Sequence, residues 1–311
     1  MKVLVTGGAG FMGSHLCESV LNKGYDVLCL DNLCTGNKKN IQHLLNNSKF
    51  KFIQHDVTKP IDLKVDFIFH LASPASPVDY QKLPVETSMA NSIGTYNMLE
   101  LARKNNARFL LASTSEVYGD PIEHPQKENY WGNVNPFGVR SCYDESKRFA
   151  EALAMSFHRK YNLDVRIARI FNTYGPRMRL DDGRVIPNFI VQAISKRPLT
   201  VYGDGKQTRS FCFISDMVEG LMKFMFADGL SGEVINLGSM DEREVIEVAK
   251  VLKKMISSES EIVFKPLPEN DPAKRKPDIT KAKKLLNWET KVDLKTGLTK
   301  TIEWFREELN K

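Results

Sequence analysis

The chain has 311 residues, 42% of them hydrophobic and 26% charged, which is an ordinary composition for a globular enzyme of one or two domains. Its net charge of +6 comes from 44 basic and 38 acidic residues without a basic tail, so we expect no nucleic acid partner. No apolar run is long enough to span a membrane and the first predicted strand starts at residue 2, so we expect neither a membrane anchor nor a signal peptide.

The first half of the chain alternates short β-branched runs with amphipathic segments. Such alternation indicates a parallel sheet with helices on both faces, which is the α/β doubly wound class. Several of the strands are apolar at consecutive positions, as expected of strands that are covered on both faces. Strands are predicted at 2–6, 26–30, 50–54, 66–70, 108–112 and 164–168, and helices at 11–23, 85–105 and 144–161.

The pattern changes after residue 170. The following elements are a helix at 187–196, strands at 199–202 and 233–237, a strand and helix within 211–227, and helices at 245–255 and 294–309, with a proline-rich loop between 266 and 277. We therefore predict a first domain of residues 1–172, to which 211–238 returns. A smaller, interleaved α+β substrate domain is predicted from 173–210 and 239–311.

Cysteine and histidine spacing indicates neither disulfides nor a metal site. The five cysteines are scattered and include no Cys-x-x-Cys pair, which favours a reducing compartment, and we expect the cytoplasm. The six histidines lack metal-ligand spacing.

A glycine-rich segment follows the first predicted strand and opens the next helix. It reads Gly-x-x-Gly-x-x-Gly through Gly7, Gly10 and Gly13, with Phe11 and Met12 between the last two glycines. Glycines there permit a tight turn and close approach of the backbone to a pyrophosphate, which then lies at the helix N-terminus. The segment predicts a dinucleotide site of Rossmann type.

Asp31 ends the second predicted strand, close to the roughly 20-residue spacing expected for a ribose-binding carboxylate. Such a carboxylate accepts bonds from both ribose hydroxyls and repels a 2′-phosphate, so NAD is favoured over NADP, although Lys38 and Lys39 would tolerate that phosphate. Asp56 follows the third strand and is placed either to reach the adenine edge or only to cap a turn. The predicted cofactor contacts are completed by Asn32, Thr35, Gly36, Val57, Leu71 and Thr173.

Tyr143 and Lys147 are four residues apart in a helical pattern and therefore share a face. A free tyrosine has a pKa near 10, and a cation beside it favours the phenolate. The pair predicts a base that takes a proton from a substrate hydroxyl while hydride leaves the same carbon, with Lys147 also bonding the nicotinamide ribose. Thr114, just past a strand at the carboxyl edge of the sheet, is placed to bond the reacting oxygen.

These residues resemble the extended short-chain dehydrogenase/reductase family that acts on nucleotide sugars. Four longer runs resemble the branch of that family that decarboxylates UDP-glucuronate. They are HLASPASP (70–77), STSEVYGD (113–120), FNTYGPRM (171–178) and RKPD (275–278). The resemblance implies UDP-glucuronate as substrate, NAD as a cofactor that stays bound through the cycle, and a homodimer formed through helices 85–105 and 143–161.

The resemblance also implies the chemistry. Tyr143 acts as base while the sugar is oxidised at C4, the resulting β-keto acid loses carbon dioxide, and re-reduction gives UDP-xylose. Glu116 acts near C5 and the carboxylate, and Arg275 lies near the carboxylate and assists protonation of C5. Thr114 and Lys147 complete the implied catalytic set. The implied substrate contacts are Arg275, Ser73, Ser115, Asn172, Arg184, Tyr202, Gln207 and Arg209.

Three alternatives remain open at the level of the sequence. A 4,6-dehydratase of this family carries an Asp-Glu pair after the threonine, and Ser115 replaces the first acid here. A 4-epimerase usually carries a small residue where Glu116 stands, and Glu116 itself has a simpler interpretation as a helix-start carboxylate. An inactive dinucleotide-binding sensor is the third alternative, although it would need neither Tyr143 nor Lys147.

Overall fold

The computed structural model describes residues 1–311, and a sheet of seven parallel strands lies at its centre. The strand order is β11-β6-β5-β4-β1-β2-β3, so the chain starts in the middle, builds outward to β3, and then crosses back to build the other half. This reversal on either side of β1 is the doubly wound arrangement. The seven strands are β1 (Lys2–Thr6), β2 (Asp26–Asp31), β3 (Phe50–Gln54), β4 (Phe67–His70), β5 (Arg108–Thr114), β6 (Val165–Ile170) and β11 (Val234–Leu237).

The chain has ten α-helices, of which α1, α4, α5, α7 and α9 contact the central sheet, whereas α6, α8 and α10 pack on one another. None of them combines the length and hydropathy that a bilayer crossing requires. They are α1 (Phe11–Asn22), α2 (Pro77–Lys82), α3 (Pro84–Met89), α4 (Thr95–Asn105), α5 (Ser141–Tyr161), α6 (Val185–Ile194), α7 (Ile214–Phe226), α8 (Val245–Ile256), α9 (Thr280–Leu286) and α10 (Leu294–Leu309).

Both faces of the central sheet are buried, which explains the consecutive apolar residues of its strands. In β1, Val3 and Val5 pack on the face covered by α1 and α7, whereas Leu4 packs on the face covered by α4 and α5. In β6, Ile167 and Ala168 divide between the two faces in the same way. Successive side chains of a strand point to opposite faces, so each face needs its own apolar set.

One strand and one helix differ from those predicted from the sequence. The predicted strand 108–112 extends to Thr114, because its last residues still pair with β6 as far as Ile170. The predicted helix 85–105 consists of α3, a π-helical turn at Ala90–Gly94, and α4. The sequence pattern is uniformly helical across this turn and therefore gives no sign of it.

Small sheets in the second half of the chain bring distant segments together. They contain β7 (Thr173–Tyr174), β8 (Leu199–Tyr202), β9 (Thr208–Ser210), β10 (Cys212–Phe213), β12 (Glu242–Glu244), β13 (Ile262–Lys265) and β14 (Lys274–Arg275). Strand β14 lies in the stretch predicted as a proline-rich loop. It pairs in parallel with β9, so that Arg275 lies directly opposite Arg209. A strand of two residues has no periodicity to detect, and only its partner strand defines it.

Candidate active site

A cavity of about 780 Å³ opens at the carboxyl ends of the central strands, where the sheet reverses its winding. Every site residue predicted from the sequence lines its wall except Arg275. That arginine is 1% exposed and lies behind the wall, where its guanidinium donates to the carbonyl of Ser115 at 3.0 Å and to Glu116 at 3.3 Å.

The glycine segment forms a cradle with no room for side chains. Gly7 has a φ of +68°, which favours glycine. A Cβ on Gly13 would lie 2.1 Å from the carbonyl oxygen of Gly7. Helix α1 begins directly after Gly10 without a side-chain cap, so its first N–H groups face the cavity unused by the protein's side chains. This geometry fits a pyrophosphate, and Phe11 and Met12 lie on the same wall.

The carboxylate of Asp31 ends β2 at the far side of the cradle. It accepts hydrogen bonds from the backbone N–H groups of Ala9 at 3.0 Å and Leu33 at 2.8 Å, while burial raises its pKa. A Cβ on Gly36 would lie 2.7 Å from this carboxylate, so glycine keeps the approach to it open. Asp56 accepts from both the N–H and the hydroxyl of Thr58 and lines the same wall. The remaining predicted cofactor contacts on this wall are Asn32, Thr35, Val57, Leu71 and Thr173.

Asp31→Asn is expected to weaken NAD binding by about 10- to 100-fold, because hydrogen bonds to a charged group contribute about 1.5–3 kcal/mol. NADP binding should weaken less, since the amide no longer repels a 2′-phosphate. Titration of both cofactors measures the ratio. Asp26→Asn, at the start of the same strand, is the matched control and should change neither affinity. Equal losses for NAD and NADP would contradict the role of Asp31.

Helix α5 places Tyr143 and Lys147 on its buried face, beside the end of β5. The Tyr143 ring stacks on Tyr80 of α2, with centroids 5.0 Å apart and planes within 6°. The Thr114 hydroxyl accepts from the N–H of Glu116 at 3.2 Å and caps the 3₁₀ turn Ser115–Tyr118, so its own hydrogen is left to donate. The predicted threonine, tyrosine and lysine thus meet at one end of the cavity.

The relation between Tyr143 and Lys147 differs from the predicted one. The Lys147 ammonium donates to the carbonyl of Ala112 at 2.9 Å and lies 5.9 Å from the centroid of the tyrosine ring. Burial raises the pKa of Tyr143 to about 12, although the Thr114 hydroxyl and the charge of Arg184 act to lower it. Burial also lowers the pKa of Lys147 to about 8. Desolvation outweighs these lowering effects, so the tyrosine is a neutral phenol at neutral pH.

The carboxylate of Glu116 contacts two arginine side chains. It accepts hydrogen bonds from Arg140 and Arg275, and the Ser115 hydroxyl donates to it at 3.2 Å. Burial acts to raise the pKa of Glu116, but the charges of Arg275 and Arg140 overcome it and hold the pKa at about 2. Glu116 is therefore an ionised carboxylate on the cavity wall, and the interpretation as a mere helix-start residue omits both of its arginine contacts.

The network continues through residues that the sequence did not single out. Arg140 lies 3.7 Å from Asp144 and 3.8 Å from Asp271, and Arg209 donates to Asp271 at 2.9 Å. The only local signal is that Arg140 precedes Asp144 by four residues, a helical ion-pair spacing. The contacts to Asp271 and Glu116 join segments far apart in the chain and have no sequence signature.

The other predicted substrate residues line the cavity between this network and its mouth. Arg184 makes a two-point ion pair with Asp182 at 2.6 Å, which fixes its guanidinium near Tyr143. Gln207 donates to the carbonyl of Tyr202 at 2.9 Å. Ser73 and Asn172 lie on the same wall.

Comparison with known proteins places this geometry in a family. A sequence model of the GDP-mannose 4,6 dehydratase family matches residues 4–301. UDP-glucuronic acid decarboxylase 4 of Arabidopsis thaliana is 58% identical over 309 residues, which are 99% of this chain and 69% of that protein. UDP-glucuronic acid decarboxylase 1 of Xenopus tropicalis is 51% identical over 308 residues, which are 99% of this chain and 73% of that protein.

Two solved structures of nucleotide-sugar enzymes have nearly the same fold as this chain. The UDP-glucuronic acid 4-epimerase from Bacillus cereus, in complex with UDP-glucuronic acid and NAD, superposes with a TM-score of 0.91 at 31% identity and covers 99% of this chain and 100% of its own. A dTDP-glucose 4,6-dehydratase from Streptomyces venezuelae with NAD bound has a TM-score of 0.91 at 28% identity. The match covers 100% of this chain and 98% of the dehydratase chain. The chain therefore belongs to the extended short-chain dehydrogenases and reductases that act on nucleotide sugars and, within them, to the UDP-glucuronic acid decarboxylase family.

Proposed function

We propose that this chain is an enzyme that converts UDP-glucuronate to UDP-xylose and carbon dioxide with NAD as a resident cofactor. The observation that carries the proposal is the meeting of Thr114, Tyr143 and Lys147 with an ionised Glu116 held by Arg140 and Arg275. The relatives that are 50–58% identical over nearly the whole chain support the same substrate.

The glycine cradle and the carboxylate of Asp31 fit NAD, which when bound accepts a hydride from C4 of the sugar and later returns it. Tyr143 takes the proton of the C4 hydroxyl, and the free hydrogen of the Thr114 hydroxyl donates to the same oxygen. Lys147, fixed by the carbonyl of Ala112, holds the positive charge near the phenol that favours the departure of its proton.

The network around Glu116 serves the second step. Once C4 is a ketone, the substrate carboxylate is β to a carbonyl, and the electrons left by departing carbon dioxide delocalise into that carbonyl. The ionised Glu116 repels the substrate carboxylate and already occupies both arginines, so the site binds the carboxylate less well than the charge-dispersed transition state. Arg275 acts from behind the cavity wall, through Glu116.

The same residues argue against the alternative functions of dehydratase, 4-epimerase and sensor. Dehydration needs an acid where Ser115 stands, and its hydroxyl donates to Glu116 instead. A 4-epimerase needs no charged group at position 116. A sensor without catalysis would have no use for a threonine, a tyrosine and a lysine buried together at the end of β5.

The test is incubation of the NAD-loaded protein with UDP-glucuronate, with carbon dioxide and nucleotide sugars measured together. Carbon dioxide and UDP-xylose in equal amounts are expected. UDP-galacturonate without carbon dioxide would favour the 4-epimerase. Turnover of UDP-glucose with UDP-glucuronate untouched would refute the proposal and favour a dehydratase or an epimerase of neutral sugars.

We also propose that the chain forms a homodimer through the segment 85–105 and α5. The support is a set of large apolar side chains that these helices leave exposed in the single chain. They are Val85 at 68%, Met89 at 40%, Ile93 at 41%, Tyr96 at 49% and Phe149 at 51%.

Tyr96→Asp combined with Phe149→Asp is expected to halve the mass measured by sedimentation equilibrium, because two charges would be desolvated in the interface. Phe264→Asp is the matched control, since Phe264 is 59% exposed on β13 and lies outside the proposed interface. A wild-type chain that sediments as a monomer at micromolar concentration would refute the dimer.

Two further expectations remain proposals. We place the chain in the cytoplasm, supported by five cysteines that all remain thiols. We assign NAD binding to residues 1–172 with 211–238, and UDP-sugar binding to 173–210 and 239–311. The pairing of β11 with β6 and the position of Arg209 and Arg275 on β9 and β14 support this division.

A further inference from the structure

Six charged side chains, three of them buried and three half-buried, form one group at the end of the cavity where Thr114 and Tyr143 lie, and we call this group the ion cluster. Every carboxylate in it lies next to at least one guanidinium. Glu116 contacts two arginines, Asp271 accepts from Arg209 at 2.9 Å, and Asp144 lies 3.7 Å from Arg140. The members are Arg140, Arg209, Arg275, Glu116, Asp144 and Asp271.

The charges of the ion cluster cancel when all six groups are ionised, three positive against three negative. A substrate carboxylate that arrives beside Glu116 adds one negative charge with no free arginine to receive it. An uncompensated charge in a buried site is costly, and titratable neighbours relieve it by changing protonation. The carboxylate of the cluster that is least supported is therefore expected to become neutral in the complex.

Asp144 is the carboxylate whose charge the protein supports least. Its nearest guanidinium nitrogen, at 3.7 Å, is beyond hydrogen-bond distance, and its Oδ1 is buried without any partner. The Nε of Arg140 is likewise buried without a partner. By contrast, Glu116 has two arginines and Asp271 has a hydrogen bond of 2.9 Å.

The surroundings of Asp144 also favour its neutral form over its ionised form. Burial and the negative charge of Glu116 raise its pKa to about 7, against the lowering effect of Arg140 and Arg275. The other titratable groups near it are Tyr80 of α2 and, on its own helix, Cys142, Tyr143 and Glu145. Near neutral pH the free protein thus holds Asp144 as a mixture of both forms.

We propose that Asp144 takes up one proton when the carboxylate of the substrate binds beside the ion cluster. The inference rests on the proposed function, because it needs a substrate with a carboxylate at C5. The whole reaction replaces that carboxylate by a hydrogen and consumes one proton. The C5–C6 bond breaks, its electron pair moves into the C4 carbonyl to give an enolate, carbon dioxide leaves, and C5 gains a proton. In the complex Asp144 then holds one proton, the number that one turnover consumes.

The test is calorimetric titration of NADH-loaded enzyme, which cannot oxidise the sugar, with UDP-glucuronate in buffers of different ionisation enthalpy. Because the pKa of Asp144 is raised to about 7 in the free protein, the carboxyl is more ionised at pH 8 than at pH 6, and the proton uptake on binding should therefore be larger at pH 8. UDP-xylose, which lacks the carboxylate, should cause no uptake. The affinity for UDP-glucuronate should fall as pH rises above 7, whereas the affinity for UDP-xylose should not.

Asp144→Asn should bind UDP-glucuronate without proton uptake, and Glu303→Gln, on the exposed face of α10 and away from the ion cluster, should retain the wild-type uptake. Equal uptake with UDP-xylose, or uptake that persists in Asp144→Asn, would overturn the inference. The comparison of the two ligands on wild-type enzyme decides the question even if Asp144→Asn does not fold. Normal carbon dioxide release without proton uptake at binding would overturn this inference alone, whereas failure to bind or decarboxylate UDP-glucuronate would overturn the proposed function.

Discussion

Tyr143→Phe is expected to lower kcat for UDP-glucuronate by about 10²- to 10⁴-fold, the usual contribution of a positioned base. The phenylalanine ring keeps the stack on Tyr80 at 5.0 Å, so binding and folding should be nearly unchanged. Only the group that takes the C4 proton is lost. Steady-state release of carbon dioxide measures the effect, and thermal unfolding checks the fold.

Tyr161→Phe is the control for Tyr143→Phe, because it removes a hydroxyl from the same helix at a position that is 42% exposed. Its kcat should equal that of the wild type. A Tyr143→Phe enzyme within tenfold of wild type would show that another group takes the proton. In that case, the assignment of the base would be wrong even if carbon dioxide is still produced.

Glu116→Gln is expected to slow carbon dioxide release by about 10- to 100-fold and to lower KM at the same time. The neutral amide no longer repels the substrate carboxylate and leaves Arg140, which lines the cavity, free to bind it. Stronger binding of the carboxylate stabilises the ground state, and this stabilisation is lost as carbon dioxide leaves. Oxidation at C4 does not require Glu116, so the bound nicotinamide should accumulate in its reduced form.

The measurement for Glu116→Gln is the absorbance of the reduced nicotinamide in a single turnover, followed together with carbon dioxide. Glu303→Gln, on the exposed face of α10 and outside the proposed dimer interface, is the control and should behave as wild type. Full activity of Glu116→Gln would remove Glu116 from the mechanism. A parallel loss of oxidation and decarboxylation would instead assign it to the first step.

The sequence predicts the central sheet well because its strands are defined locally. A strand that is buried on both faces must be apolar along its length, and Gly10 and Gly13 are required by the nearby carbonyl oxygen of Gly7 within the same segment. The same local rules place Asp31, Tyr143 and Thr114 at the carboxyl edge of the sheet. All three line the cavity.

The contacts within the ion cluster cannot be predicted from the sequence. Arg275 was singled out only through resemblance, and Arg140, Asp144 and Asp271 were not singled out at all. Their contacts depend on how loops cross over the sheet and on the pairing of β14 with β9. The protonation state of Tyr143 is also not predictable from the sequence, because the burial that raises its pKa is a property of the folded chain.

The pairing of β9 with β14 also bears on the order in which the chain becomes active during synthesis. The cradle, Asp31, Thr114 and Tyr143 all lie within the first half of the chain, but Arg209 and Arg275 reach Asp271 and Glu116 only after the last third is made. A nascent chain that ends before residue 209 holds Glu116 and Asp144 with Arg140 alone. We expect such a chain to acquire its cofactor cradle early and its capacity for decarboxylation last.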